Sequence, residues 1–102
     1  MIENEKYIQS IFDAIDEINE QLHEEKRLIK SVDTVLFGKS GKLDSLGFVN
    51  LIVATEQRLE EVFEVSLTLA DEKAMSQENS PFRTVGTLAE YISKLLSERV
   101  ND

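Results

Sequence analysis

The chain has no cysteine, no tryptophan, one histidine and one proline among its 102 residues. Without cysteine there is no disulfide framework, no thiolate nucleophile and no cysteine-bound metal. Any thiol chemistry must use a sulfur brought from outside the chain. The single histidine, His23, lies among charged residues. With no second histidine and no cysteine it has no partner for a metal site or a catalytic triad, so it reads as a surface residue. No EF-hand spacing occurs, and Gly38 to Gly41 is too short for a Walker-type phosphate loop. Basic residues are few: 11 Lys and Arg stand against 20 Asp and Glu, a net charge of −9. That balance repels nucleic acid and anionic membrane and favours partners with basic surfaces. No apolar run approaches membrane-spanning length. The start, Met1-Ile2-Glu3-Asn4-Glu5, lacks the basic residues and apolar stretch of a signal peptide. The expectation is a cytoplasmic protein that neither binds nucleic acid nor inserts into membrane.

What is present is a 41% hydrophobic content, enough to fill one modest core in a single small domain. Ile8, Ile11, Phe12, Ile15, Ile18 and Leu22 recur at helical spacing, with Glu5, Asp13, Glu17 and Glu20 off that stripe. They predict a helix over residues 3–22. Residues 23–43 show no period but hold Leu28, Ile29, Val32, Val35, Leu36 and Phe37 before the turn residues Gly38-Lys39-Ser40-Gly41. Their anchors suggest a long loop laid across the core rather than a free linker. A second helix is expected over 44–63, with Asp44 capping the amides of Leu46 and Gly47. Val62 to Leu69 alternates, with Phe63, Val65, Leu67 and Leu69 set against Glu64, Ser66 and Thr68. No second strand is evident to pair with them, so an extended connector with alternate side chains buried is expected. Ala70 to Gln77 can form one short helix, which Asn79-Ser80-Pro81 ends. The last helix, over 84–98, has Thr84 as N-cap and an apolar face of Val85, Leu88, Ala89, Ile92, Leu95 and Leu96. The fold class is therefore all-α: a small four-helix bundle of three main helices and one short one.

The second helix carries two stripes. At about 100° per residue, Phe48, Leu51, Ile52, Leu59, Val62 and Phe63 share one face with Thr55. That is ordinary core. Leu46, Val49 and Val53 fall on another face, which continues into Glu56, Gln57 and Glu60 with Glu61 beside them. Two readings are open for this second stripe. It is further core beneath the long loop, or it is a docking strip whose acidic rim suits a basic partner.

At Gly41-Lys42-Leu43-Asp44-Ser45-Leu46-Gly47, through Leu59-Glu60-Glu61-Val62-Phe63 and Thr84-Val85-Gly86-Thr87-Leu88-Ala89-Glu90-Tyr91-Ile92, the chain resembles the acyl carrier and peptidyl carrier proteins. These serve fatty-acid, polyketide and peptide synthesis. The resemblance runs from about residue 36 to 96, and the first helix fits in order and type. It implies that Ser45, flanked by Asp44 and Leu46, carries a 4'-phosphopantetheine arm transferred from coenzyme A. It also implies that Leu46, Val49, Val53, Glu56, Glu60 and Glu61 meet partner enzymes. Those partners would be a phosphopantetheinyl transferase, an acyl- or aminoacyl-loading ligase, and downstream synthases or transferases with basic docking surfaces. On this reading the chain is a freestanding carrier, not an enzyme. Gly47 replaces the acidic residue common in fatty-acid carriers, the segment Ala74 to Phe82 is longer than in a minimal carrier, and Lys39 and Lys42 add positive charge before the serine. These departures bear on cargo and partner choice more than on fold, and the resemblance implies a cargo pocket between the second helix and the segment Ala70 to Phe82. The alternative is an unmodified acidic helical adaptor that only binds proteins.

Overall fold

The apolar stripe at the start of the chain becomes helix α1, Ile2–Asn19. In the computed structural model, which describes residues 2–36, 43–69 and 82–100, it is followed by a 3-10 turn at Glu24–Lys26, α2 at Ser45–Phe63 and α3 at Val85–Val100. The fold of these residues is all-α. The short helix expected over 70–77 lies outside the described residues. α1 packs along both other helices, and its fully buried Ile11 and Ile15 meet a core that includes Leu51 and Ile52 of α2 and Leu88 and Ile92 of α3. Each such side chain contributes about 1.5–3 kcal/mol on burial.

α1 ends three residues earlier than its apolar period suggests, at Asn19 rather than 22. The cause is a clamp from the following loop. The Asn19 side-chain amide donates to the Leu28 carbonyl at 3.0 Å, and its oxygen accepts from the Leu28 amide at 2.9 Å. Arg27 Nε donates to the carbonyls of Asn19 and Leu22 at 3.0 and 3.1 Å. A cation on the last carbonyls satisfies groups that a helix end leaves open.

The loop is only partly laid across the core. Leu28 and Leu36 are buried and Val35 is half-buried, but Ile29 and Val32 are exposed, contrary to their expected role as anchors; Phe37 lies outside the described residues. Main-chain bonds, rather than those side chains, position the loop. The carbonyls of Thr34 and Val32 accept from the amides of Val85 and Gly86 at 3.1 and 2.9 Å, and the Leu36 amide donates to the Arg83 carbonyl at 2.7 Å. The loop thus caps the free amides of α3, and Thr84 completes the cap as expected: its Oγ1 accepts from the Thr87 amide at 3.1 Å, while the Thr84 amide donates back to Thr87 Oγ1 at 3.0 Å. Gly86, which weakens a helix by propensity, is suited to this crossing, because a Cβ there would stand 3.2 Å from the Val32 carbonyl oxygen.

α2 ends on Glu64, which adopts a left-handed conformation, φ 56° and ψ 37°, and donates its amide to the Glu60 carbonyl at 3.0 Å. The chain beyond is extended. Val65 and Leu67 are half-buried and Leu69 fully buried, while Glu64, Ser66 and Thr68 are exposed. The alternation is therefore real without a strand partner among the described residues. Val62 departs from expectation: assigned to the core stripe, it is 58% exposed, although its neighbour Phe63 packs on Tyr7 of α1.

Left-handed backbone disfavours a side chain. Glu64→Gly should therefore raise stability by about 0.5–1 kcal/mol, after the larger entropy of the unfolded glycine is allowed for. Urea unfolding checks this, with a higher midpoint and an unchanged slope expected.

Candidate functional site

Asp44 sets the start of α2. Its backbone is extended, and its Oδ1 accepts from the Gly47 amide at 2.7 Å. Leu46 was expected to share this cap, and the bond observed is to Gly47. A Cβ on residue 47 would stand 3.2 Å from Asp44 Oδ1 and 3.3 Å from Leu43 Cδ2. Glycine there lets the cap bond form without crowding. Ser45 is the first residue of the helix, directly after the capping residue.

The rotation of α2 separates its two stripes. Phe48, Leu51, Ile52 and Leu59 are buried, as is Thr55, whose hydroxyl donates to the Leu51 carbonyl at 2.8 Å and so enters the core with its donor satisfied. Leu46, Val49 and Val53 are 70%, 41% and 43% exposed. They are not further core beneath the loop. An apolar strip one residue wide therefore runs down the outside of α2 from the turn that Ser45 begins.

The acids beyond the strip do not form one set. Glu60 and Glu61 are exposed. Glu61 lies 3.8 Å from Arg58, which lies 3.8 Å from Glu17 of α1. These pairs are long and solvated and contribute little to stability. They do place one cation within the acidic rim, a feature the charge count conceals. Glu56 is half-buried, and its Oε2 accepts from the amide of Leu69, 13 residues on, at 2.6 Å. No sequence signal marks that contact.

A shallow groove between α1 and α2 is lined by Asp13, Asp16, Glu17, Glu20 and Arg58. Its lining is charged and unsuited to an acyl chain, and no group of three or more potential metal ligands occurs among the described residues. A cargo pocket was expected between α2 and the segment Ala70 to Phe82. Apart from Phe82, that segment lies outside the described residues. Phe82 itself is fully buried against Phe48 and Tyr91, at ring-centroid distances of 5.6 and 5.9 Å. His23 is exposed, as expected of a surface residue. Among the described residues, no helix is long and apolar enough to cross a membrane.

Comparison with known proteins finds no matching family model, no matching curated protein and no matching solved structure.

The two stripes should separate in stability measurements. Ile52→Ala should cost about 2–5 kcal/mol, as core truncations do, and Val49→Ala less than about 1 kcal/mol. Equal unfolding penalties at the two positions would contradict an exposed second stripe.

Proposed function

We propose that the chain is an acyl or peptidyl carrier of the four-helix acyl-carrier type. In this reading Ser45 bears a 4'-phosphopantetheine arm, and the face of α2 beneath it docks the enzymes that load and use the arm. The observation that carries the reading is the exposed apolar strip of Leu46, Val49 and Val53, which begins beside Ser45 and runs toward the acids Glu60 and Glu61. An apolar stripe left open on a helix that already buries another face is a surface suited to a partner. Acids beyond it would steer that partner by charge.

The start of α2 suits the phosphodiester that such an arm requires. A helix N-terminus carries partial positive charge and amides directed out of the helix, both of which favour a phosphate. Asp44 and Leu46, on either side of Ser45, are exposed, so an incoming transferase has room. In the transfer, Ser45 Oγ would form a new P–O bond to the pantetheine-bearing phosphorus of coenzyme A. The pyrophosphate bond would break, adenosine 3',5'-bisphosphate would leave, and the hydroxyl proton would pass to the transferase. The arm, when bound, supplies the thiol that a cysteine-free chain lacks, and cargo is held on it as a thioester. The chain's own contribution is to fix the attachment point on a capped helix start, to present the strip, and to hold cargo at high local concentration near its partners. It performs no catalysis itself. Its setting would be the cytoplasm, as a monomer.

The exposed strip alone equally suits an unmodified protein-binding adaptor, and one experiment separates the two readings. The chain is incubated with coenzyme A and a broad-specificity phosphopantetheinyl transferase, and its intact mass is measured. Wild type should gain the mass of one arm, and Ser45→Ala should gain none while keeping its helical circular dichroism. No gain in wild type favours the adaptor. Attachment that persists in Ser45→Ala would sink the assignment of Ser45.

Docking predicts a second outcome. Glu60→Lys with Glu61→Lys should slow arm attachment by about tenfold at low salt and leave the unfolding midpoint nearly unchanged. The wild-type rate should fall as salt rises. Equal rates for wild type and variant at low salt would show that partners do not read these carboxylates.

A further inference from the structure

Glu56 continues the strip of Leu46, Val49 and Val53, and by spacing alone it belongs with Glu60 and Glu61 as a docking charge. Its surroundings differ. Glu60 and Glu61 are exposed, whereas Glu56 is half-buried with Oε2 2.6 Å from the Leu69 amide. Leu69 is the last described residue of the extended segment that leaves α2 at Glu64, and its side chain is fully buried. The connector pairs with no strand among the described residues. Among the described residues, two contacts hold Leu69: its side chain in the core and its amide on Glu56. A hydrogen bond from an amide to a carboxylate is among the stronger ones available to a backbone donor, and losing it would leave a donor in a partly buried site without its acceptor.

We propose that Glu56 is a positioning residue that fastens the connector to the docking face of α2, and that Glu60, not Glu56, supplies the charge that partners read. The two carboxylates then do different work on one stripe. Glu56 needs its acceptor oxygen, Glu60 its negative charge. The strip and the connector share the Glu56 side chain, so the connector's placement forms part of the surface a partner meets. The second half of this proposal rests on the carrier reading; the first half does not.

The test uses the full chain as wild type, Glu56→Gln, Glu56→Ala and Glu60→Gln. The first readout is hydrogen exchange of the Leu69 amide, with the Leu51 and Ile92 amides as controls. Glu56→Ala should speed exchange at Leu69 by about tenfold or more and leave the controls unchanged, as loss of a charge-assisted bond predicts. Glu56→Gln, which keeps an acceptor, should change it by less, and Glu60→Gln not at all. Exchange at Leu69 that is the same in Glu56→Ala and wild type overturns the proposal. The second readout is the rate of arm attachment from coenzyme A by a phosphopantetheinyl transferase, measured against salt. Glu60→Gln should flatten the salt dependence. Glu56→Gln should keep it, and Glu56→Ala should keep it while lowering the rate. Flattening in Glu56→Gln equal to that in Glu60→Gln makes Glu56 a docking charge and overturns the proposal. If wild type takes no arm, the carrier reading fails, and the exchange readout still decides whether Glu56 fastens the connector.

Discussion

The rotation of α2 about its own axis is fixed by the burial of Phe48, Leu51, Ile52, Thr55 and Leu59, and every surface feature of that helix follows from it. Both ends of the helix are pinned by rings. Near its start, Phe48 meets Phe82 edge-on at 5.6 Å, and Phe82 in turn meets Tyr91 of α3 at 5.9 Å. At its end, Phe63 lies 5.1 Å from Tyr7 of α1. Such aromatic pairs add about 0.5–1.5 kcal/mol each beyond their buried area. Turning the helix to bury Leu46, Val49 and Val53 would expose Phe48 and Ile52, each worth about 1.5–3 kcal/mol. The core therefore wins, and the second apolar stripe stays outside. A strip that remains exposed under this constraint is a surface available to other molecules.

The irregular parts of the chain are held by a different kind of contact. Helix ends and extended segments have amides and carbonyls without partners in their own element, and here several of them find partners at a distance in sequence. Asn19 grips Leu28 from both sides. Val32 and Thr34 cap the amides of α3. Glu56 holds Leu69. Each contact joins an element to the segment that would otherwise drift from it, so a small core is supplemented by a few polar fastenings. One of these bears on the proposed function: the Glu56 contact ties the connector to the face that a partner would use.

What the sequence made legible, and what it did not, divides along that line. The three long helices, the two stripes of α2, the Asp44 and Thr84 caps and the alternation from Phe63 to Leu69 were all readable, because each depends on residues within one or two turns of one another. The readings that failed depend on distant partners. The apolar period of α1 runs past its end, and the clamp that stops it reaches nine residues ahead to Leu28. Ile29 and Val32 are apolar and suit anchors by sequence, yet main-chain bonds of Val32 and Thr34 to α3 hold this part of the loop, and both side chains are exposed. Val62 is in phase with the core stripe and stands exposed beside the half-buried Phe63. Glu56 is in phase with Glu60, and nothing local marks its bond to an amide 13 residues away.

The most direct test of a docking face on α2 is a chemical-shift map. Labelled Ser45→Ala, which can dock without reacting, is titrated with an unlabelled phosphopantetheinyl transferase, and backbone amide shifts are followed along the whole chain. The predicted result is perturbation concentrated at Leu46, Val49, Val53 and Glu60, weakening as salt rises. Shifts centred instead on the acidic groove of Asp13, Asp16 and Glu17 on α1, with the α2 strip unmoved, would contradict the assignment of the second stripe as the surface by which this protein meets its partners.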